Sequence, residues 1–128
     1  MNYEKLLNTH YQSSTITDHR VVIHFLLNNI NSISFEEDNY PLLLFHKNSL
    51  SLHVLDERRP HIEFVFINDK DIYNSLRILF ANNHIVYISP EHLINTLPTS
   101  AIYSLVDQAL ADGNSHDFRY FSKMLRKK

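Results

Sequence analysis

Gly113 is the only glycine in a chain of 128 residues, and it stands between two runs of helical period at the C-terminal end. Before it, Ile102, Leu105, Val106, Ala109 and Leu110 recur at three and four residues. They lay an apolar arc along one side of a helix and leave Asp107, Gln108 and Asp112 on the other. A residue without a Cβ enters the left-handed region at a helix end without steric cost, and Asn114 tolerates the same region. Ser115 is then expected to cap a second helix, with Asp117 in its first turn. Phe118, Phe121, Met124 and Leu125 form that helix's apolar stripe, widened by Tyr120. The tail reads as an antiparallel helical hairpin over 99–128. Its apolar side chains are too few to offset the entropy of ordering both helices, so it needs a covering surface, either the rest of the chain or a partner.

A single glycine inside a helix–helix turn also closes several functional classes. No phosphate-cradling loop, dinucleotide fingerprint or nucleophile elbow can be built from it. With no cysteine there is no disulfide framework, thiolate nucleophile or cysteine zinc site. Nine histidines are scattered without metal-binding spacing, so no metal and no cofactor are expected. His61 and Glu63 lie two apart and could share one strand face as an imidazole–carboxylate pair. A hydrolase would need such groups brought within hydrogen-bond reach in a cleft.

The body, residues 1–98, changes period along its length. Tyr3 to His10 reads as a short helix with Leu6 and Leu7 inward. Thr17 and Asp18 start a second helix, in which Val21, Val22, Ile23, Phe25, Leu26, Leu27 and Ile30 cover nearly the whole girth and predict near-complete burial. Short β-rich runs follow at 33–35, 42–45, 50–55 and 62–67, with Leu50, Leu52 and Val54 alternating, as do Ile62, Phe64 and Phe66. Asn68-Asp69-Lys70-Asp71 caps a helix carrying Ile72, Leu76, Leu79 and Phe80, and Asn82-Asn83 closes it. Ile85 to Ile88 is a further strand, and Ser89-Pro90-Glu91 opens a short helix that Pro98 ends. Thr99 or Ser100 caps the hairpin's first helix. The expected fold is α+β: a short antiparallel-rich sheet packed by helices, with a C-terminal helical hairpin. The crossover from Ile67 to Ile85 leaves a partly parallel sheet open.

Charge is uneven. Residues 1–118 hold seven Lys/Arg against fourteen Asp/Glu, a net −7, whereas Arg119, Lys123, Arg126, Lys127 and Lys128 make the last ten residues +5. Cations in a last helical turn complement the helix dipole; a contact with an acidic protein surface is the next reading. An acidic body repels phosphate, so nucleic acid ranks last. No apolar run reaches the length of a membrane span and the N-terminus lacks a signal peptide's pattern, so a cytoplasmic protein is expected.

The segment Val106-Asp107-Gln108-Ala109-Leu110, preceded by Leu105 and followed by Phe118 and Leu125, resembles the IDEAL domain, named for its Ile-Asp-Glu-Ala-Leu core. Val106 and Gln108 are conservative departures. That domain ends the YpiB/ReoY family of Gram-positive bacteria, whose element order Thr9-His10-Tyr11-Gln12, the helix from Val21 to Ile30 and Ile85-Val86-Tyr87-Ile88 resemble in outline. The resemblance implies a non-enzymatic adaptor or regulator acting with the ClpC–ClpP protease to control the lifetime of a cell-wall precursor enzyme, MurA. It places the partner surface on the hairpin, at Leu105, Asp107, Gln108 and Phe118, joined by Arg119, Tyr120 and Lys123. A homodimer through the same surface, and a small nucleic-acid-associated regulator using the basic last helix, are the alternatives.

Overall fold

The computed structural model describes residues 1–127; Lys128, counted above in the basic terminus, lies outside them. Contacts divide the chain into two compact units, one over 2–96 and one from Leu97 through the last two helices.

The first unit is α+β. Its elements run α1 (Tyr3–Ser13), α2 (Thr17–Asn28), a 3₁₀ turn (Ile30–Ser32), β1 (Ile33–Ser34), β2 (Leu42–His46), β3 (Ser49–Leu55), β4 (Glu63–Phe66), α3 (Asp69–Ala81), β5 (Val86–Ile88) and α4 (Pro90–Asn95). The five strands form one sheet in the order β1-β5-β2-β3-β4. β2–β3 and β3–β4 pair antiparallel, whereas β5 runs parallel to both β1 and β2. The sheet is therefore mixed: rich in antiparallel pairing, as expected, with the parallel part that the crossover left open. The cause is the α3 crossover, which returns the chain to the sheet in the direction it left.

Alternation along β2 and β3 sorts the sheet into two faces. Leu43, Phe45, Leu50 and Leu52 share one face and are each 0–1% exposed. His10 of α1 lays its ring on Phe45, with centroids 4.8 Å apart. Each such Leu or Phe contributes roughly 1.5–3 kcal/mol on burial, and this row is the unit's main apolar layer. The other face carries Leu42, Leu44, His46, Ser51, His53, Glu63 and Val65.

The helices begin and end where local chemistry allows, with some differences from the expected caps. Asn68 accepts from the amides of Lys70 and Asp71, and Ser89 from that of His92, as expected. α2 instead has Ile16 at its cap position with no side-chain bond, so Thr17 is its first helical residue. α2 is also amphipathic rather than wholly buried. Val22, Ile23 and Leu26 are buried, whereas Val21 is exposed and Phe25 and Leu27 are half-buried.

The second unit is a hairpin of α5 (Thr99–Ala111) and α6 (Ser115–Lys127). Gly113 adopts φ 67°. The Asn114 amide donates to the Ala109 carbonyl (2.9 Å) and the Gly113 amide to that of Leu110 (3.2 Å), the paired bonds that close a helix on a left-handed residue. Asn83, at φ 60°, does the same for α3, where His84 donates to Leu79 and Asn83 to Phe80. Pro98 occupies the cap position of α5 without a side-chain bond, so neither Thr99 nor Ser100 caps it. Asn114, not Ser115, caps α6, its Oδ1 accepting from the Asp117 amide at 3.1 Å.

Candidate functional site

Each hairpin residue singled out in the sequence has a definite place on α5 or α6. Asp107 and Gln108 are exposed on α5, and Arg119, Tyr120 and Lys123 on α6. Leu105 is 6% exposed and Phe118 half-buried, so these two present little surface. Leu110, expected on the inner arc of α5, is instead 65% exposed, and Tyr103 is 59% exposed. Residues 103, 107 and 110 follow i, i+4 and i+7, so two large apolar side chains flank Asp107 on one outward stripe. On α6, Ser115, His116, Arg119, Tyr120 and Lys123 line an open groove of about 310 Å³. Arg119, Lys123, Arg126 and Lys127 have no carboxylate partner among the described residues.

A second constellation lies in the body, on the sheet face opposite the Phe45 layer. His53 Nδ1 bonds Glu63 Oε1, His53 Nε2 lies 2.8 Å from Ser51 Oγ, and Ser51 Oγ lies 2.7 Å from His46 Nε2. Register explains the row. His53 opposes Val65 and Ser51 opposes Leu44, so Glu63 and His46 are the diagonal same-face neighbours of His53 and Ser51. Tyr40 donates to the other Glu63 oxygen at 3.3 Å. Beyond the row, the His46 and His92 rings meet edge to face at 6.4 Å. His92 Nδ1 lies 2.9 Å from Ser89 Oγ, which donates to Glu37 at 3.4 Å. The expected His61–Glu63 pair does not form: His61 sits in the turn before β4, and Glu63 takes His53 as its partner.

The carboxylate fixes the sense of the row. Glu63 is an acceptor, so His53 donates to it from Nδ1; in the neutral ring Nε2 then accepts from the Ser51 hydroxyl, and Ser51 Oγ accepts from His46 Nε2–H. The bond from His53 holds Glu63 below the usual carboxylate range. Burial, reinforced by the neighbouring His92 and His53, lowers His46. The Glu63 charge raises Tyr40. Ser51, His53 and Glu63 have the connectivity of an acyl-transfer triad, but Ser51 is 5% exposed in mid-strand and its oxygen is shared with a second imidazole.

Two other histidines are buried. His10 bonds the Leu93 carbonyl at 2.6 Å, and burial lowers its pKa. His19 Nδ1 has no hydrogen bond and lies 3.9 Å from Asp69 Oδ1; burial lowers His19 as well, against the pull of that carboxylate. Among the described residues, no group of three or more His, Cys, Asp or Glu is arranged to hold a metal, and no helix is long and apolar enough to cross a membrane. Compared with protein-family models, curated proteins and solved structures, the chain finds no match.

Proposed function

We propose that this protein is a non-enzymatic, cytoplasmic interaction module whose C-terminal hairpin docks on a protein partner. Its likeness to the IDEAL domain makes that partner a component or substrate of a ClpC–ClpP-type protease, and makes the regulated protein a cell-wall synthesis enzyme. The observation that carries the reading is the exposed stripe of Tyr103, Asp107 and Leu110, in which the motif's acid stands between two large apolar side chains on solvent. Large side chains held on a helix face supply the anchors of helix-mediated recognition, and an acid between them selects a cationic neighbour. The cations of α6 complement an acidic surface. They also support a second reading, contact with nucleic acid, which steep loss of binding on adding salt would distinguish.

Calorimetric titration of the full chain into purified ClpC and into MurA tests the first reading. Tyr103 and Leu110 are exposed, so replacing both with Ala leaves the core intact. Binding should weaken by about tenfold or more, because truncating an anchor costs at least 1–2 kcal/mol. Equal affinity of the doubly substituted chain, or no binding of the native chain to either protein, would overturn it.

A further inference from the structure

The row on the sheet face is unrelated to the hairpin reading and has its own chemistry. We propose that His46, Ser51, His53 and Glu63 form a proton relay across β2, β3 and β4, which takes up a proton at the outer ring nitrogen of His46 and holds it on His53 beside the Glu63 carboxylate. The three contacts run unbroken from an exposed residue at the end of β2 to an exposed residue on the edge strand, through a serine that is itself buried.

The transfer balances without any other reactant. In the resting row His46 donates from Nε2 to Ser51 Oγ, Ser51 donates to His53 Nε2, and His53 donates from Nδ1 to Glu63. A proton binding at His46 Nδ1 makes that ring cationic without breaking a bond of the row. The His46 Nε2–H bond then breaks as its proton joins Ser51 Oγ, while the Ser51 O–H bond breaks as its proton joins His53 Nε2. His46 ends neutral with its proton on Nδ1. His53 ends as an imidazolium whose two N–H groups point to Ser51 and to Glu63. Charge is favoured at that end because the carboxylate faces His53, whereas His46 faces the imidazoles of His92 and, through Ser51, His53. The other titratable groups against the row are Tyr40, which donates to Glu63, and Glu37, which reaches His92 through Ser89. The stored charge strengthens the tie between β3 and the edge strand β4, making the row an acid-sensitive fastening of that edge.

Imidazole nitrogen NMR on the full chain, titrated from about pH 8 to about pH 5 across the ordinary histidine range, reads the relay directly. At neutral pH His53 should carry its proton on Nδ1 and His46 on Nε2. On acidification both rings should respond at a common first midpoint, as His53 gains its second N–H and the His46 proton moves from Nε2 to Nδ1; any later step belongs to His46 alone. The His92 signal, followed in the same spectra, separates its own titration from theirs. Ser51→Ala removes the wire, and each ring should then titrate in one step of its own. Glu63→Gln, a change on an exposed edge residue, should move the first step from His53 to His46. The opposite tautomer on either ring, a common first midpoint that persists in Ser51→Ala, or a first step still on His53 in Glu63→Gln would each overturn the proposal.

Discussion

His10 is the clearest place to test how the body is held, because one ring contributes packing, a hydrogen bond and a titration. The ring is buried at 8% exposure, rests on Phe45, and donates from Nε2 to the Leu93 carbonyl at 2.6 Å, joining α1 to α4. In His10→Ala the Phe45 ring loses its cover, at a cost of about 2–3 kcal/mol for a ring smaller than phenylalanine. The Leu93 carbonyl loses its short donor and keeps a Thr96 hydroxyl at 3.4 Å, which adds about 1–2 kcal/mol. Urea denaturation followed by circular dichroism near neutrality should therefore show a loss of about 3–5 kcal/mol. The pH dependence supplies an independent sign. Burial lowers the folded-state pKa of His10, so the unfolded chain binds the proton first. The native chain is at full stability above about pH 6.5, the unfolded value, and loses stability as pH falls below it. At about one pH unit below that value the loss through His10 reaches up to about 1.4 kcal/mol, and His10→Ala escapes it. The gap between native and variant should thus narrow on acidification. His19, lowered mainly by its own burial, titrates in both proteins, and only its smaller repulsion with His10 is lost in the variant. A loss below about 1 kcal/mol near neutrality, or a gap that widens in acid, would refute the reasoning.

Two further substitutions separate backbone from core. A Cβ on Gly113 meets nothing within 4 Å, so Gly113→Ala carries only the left-handed backbone cost of about 1–2 kcal/mol, and Gly113→Asn should cost less; chemical denaturation of the two variants checks the order. Leu52→Ala, at a fully buried position in the apolar layer, should cost about 2–5 kcal/mol in the same assay, several times the effect of a change at exposed Ile78.

The α+β class was legible because the apolar period changes from three-and-four to two and back. The left-handed turn at Gly113 and the Asn68 and Ser89 caps were legible because only a few residue types satisfy those positions. The crossover left parallel pairing open, but which strands pair was not legible, since β1 holds two residues and β5 three, too few for periodicity to assign neighbours. The girth of α2 misled for a related reason. Valine and leucine recur all round it, but only the stripe with Val22, Ile23 and Leu26 meets the core, and Val21 is left on solvent. The start of α2 at Thr17 was legible, whereas the caps of α5 and α6 fell on Pro98 and Asn114, ahead of the expected Thr99 or Ser100 and Ser115, which sequence preference alone does not resolve. As for the sites, Asp107, Gln108, Arg119, Tyr120 and Lys123 fall on exposed helix faces, whereas the polar row in the body was missed. Half of its signal was available: Ser51 and His53 alternate with Leu50 and Leu52, which puts them on the face opposite the apolar layer. The other half, the partnership with Glu63 across a turn, depends on register and could not be read from spacing.

The composition of that row is itself informative. On the opposite face the same two strands use leucine and phenylalanine, and nothing in strand geometry prevents aliphatic side chains at 46, 51 and 53. Replacing a hydrogen-bonded set by apolar groups of similar shape is often neutral or stabilising, so stability alone gives no reason for two imidazoles around a buried hydroxyl. Proton transfer does, because it needs groups that can both donate and accept, placed end to end. The serine can reverse the direction in which it donates, each imidazole can change the nitrogen that carries its proton, and the carboxylate biases where the charge rests. His10 is built the other way, with a carbonyl on one side, an aromatic ring on the other and, among the described residues, no carboxylate paired with it. The fold thus holds one histidine neutral on the helix-covered face of the sheet while arranging others, across the same strands, to exchange a proton.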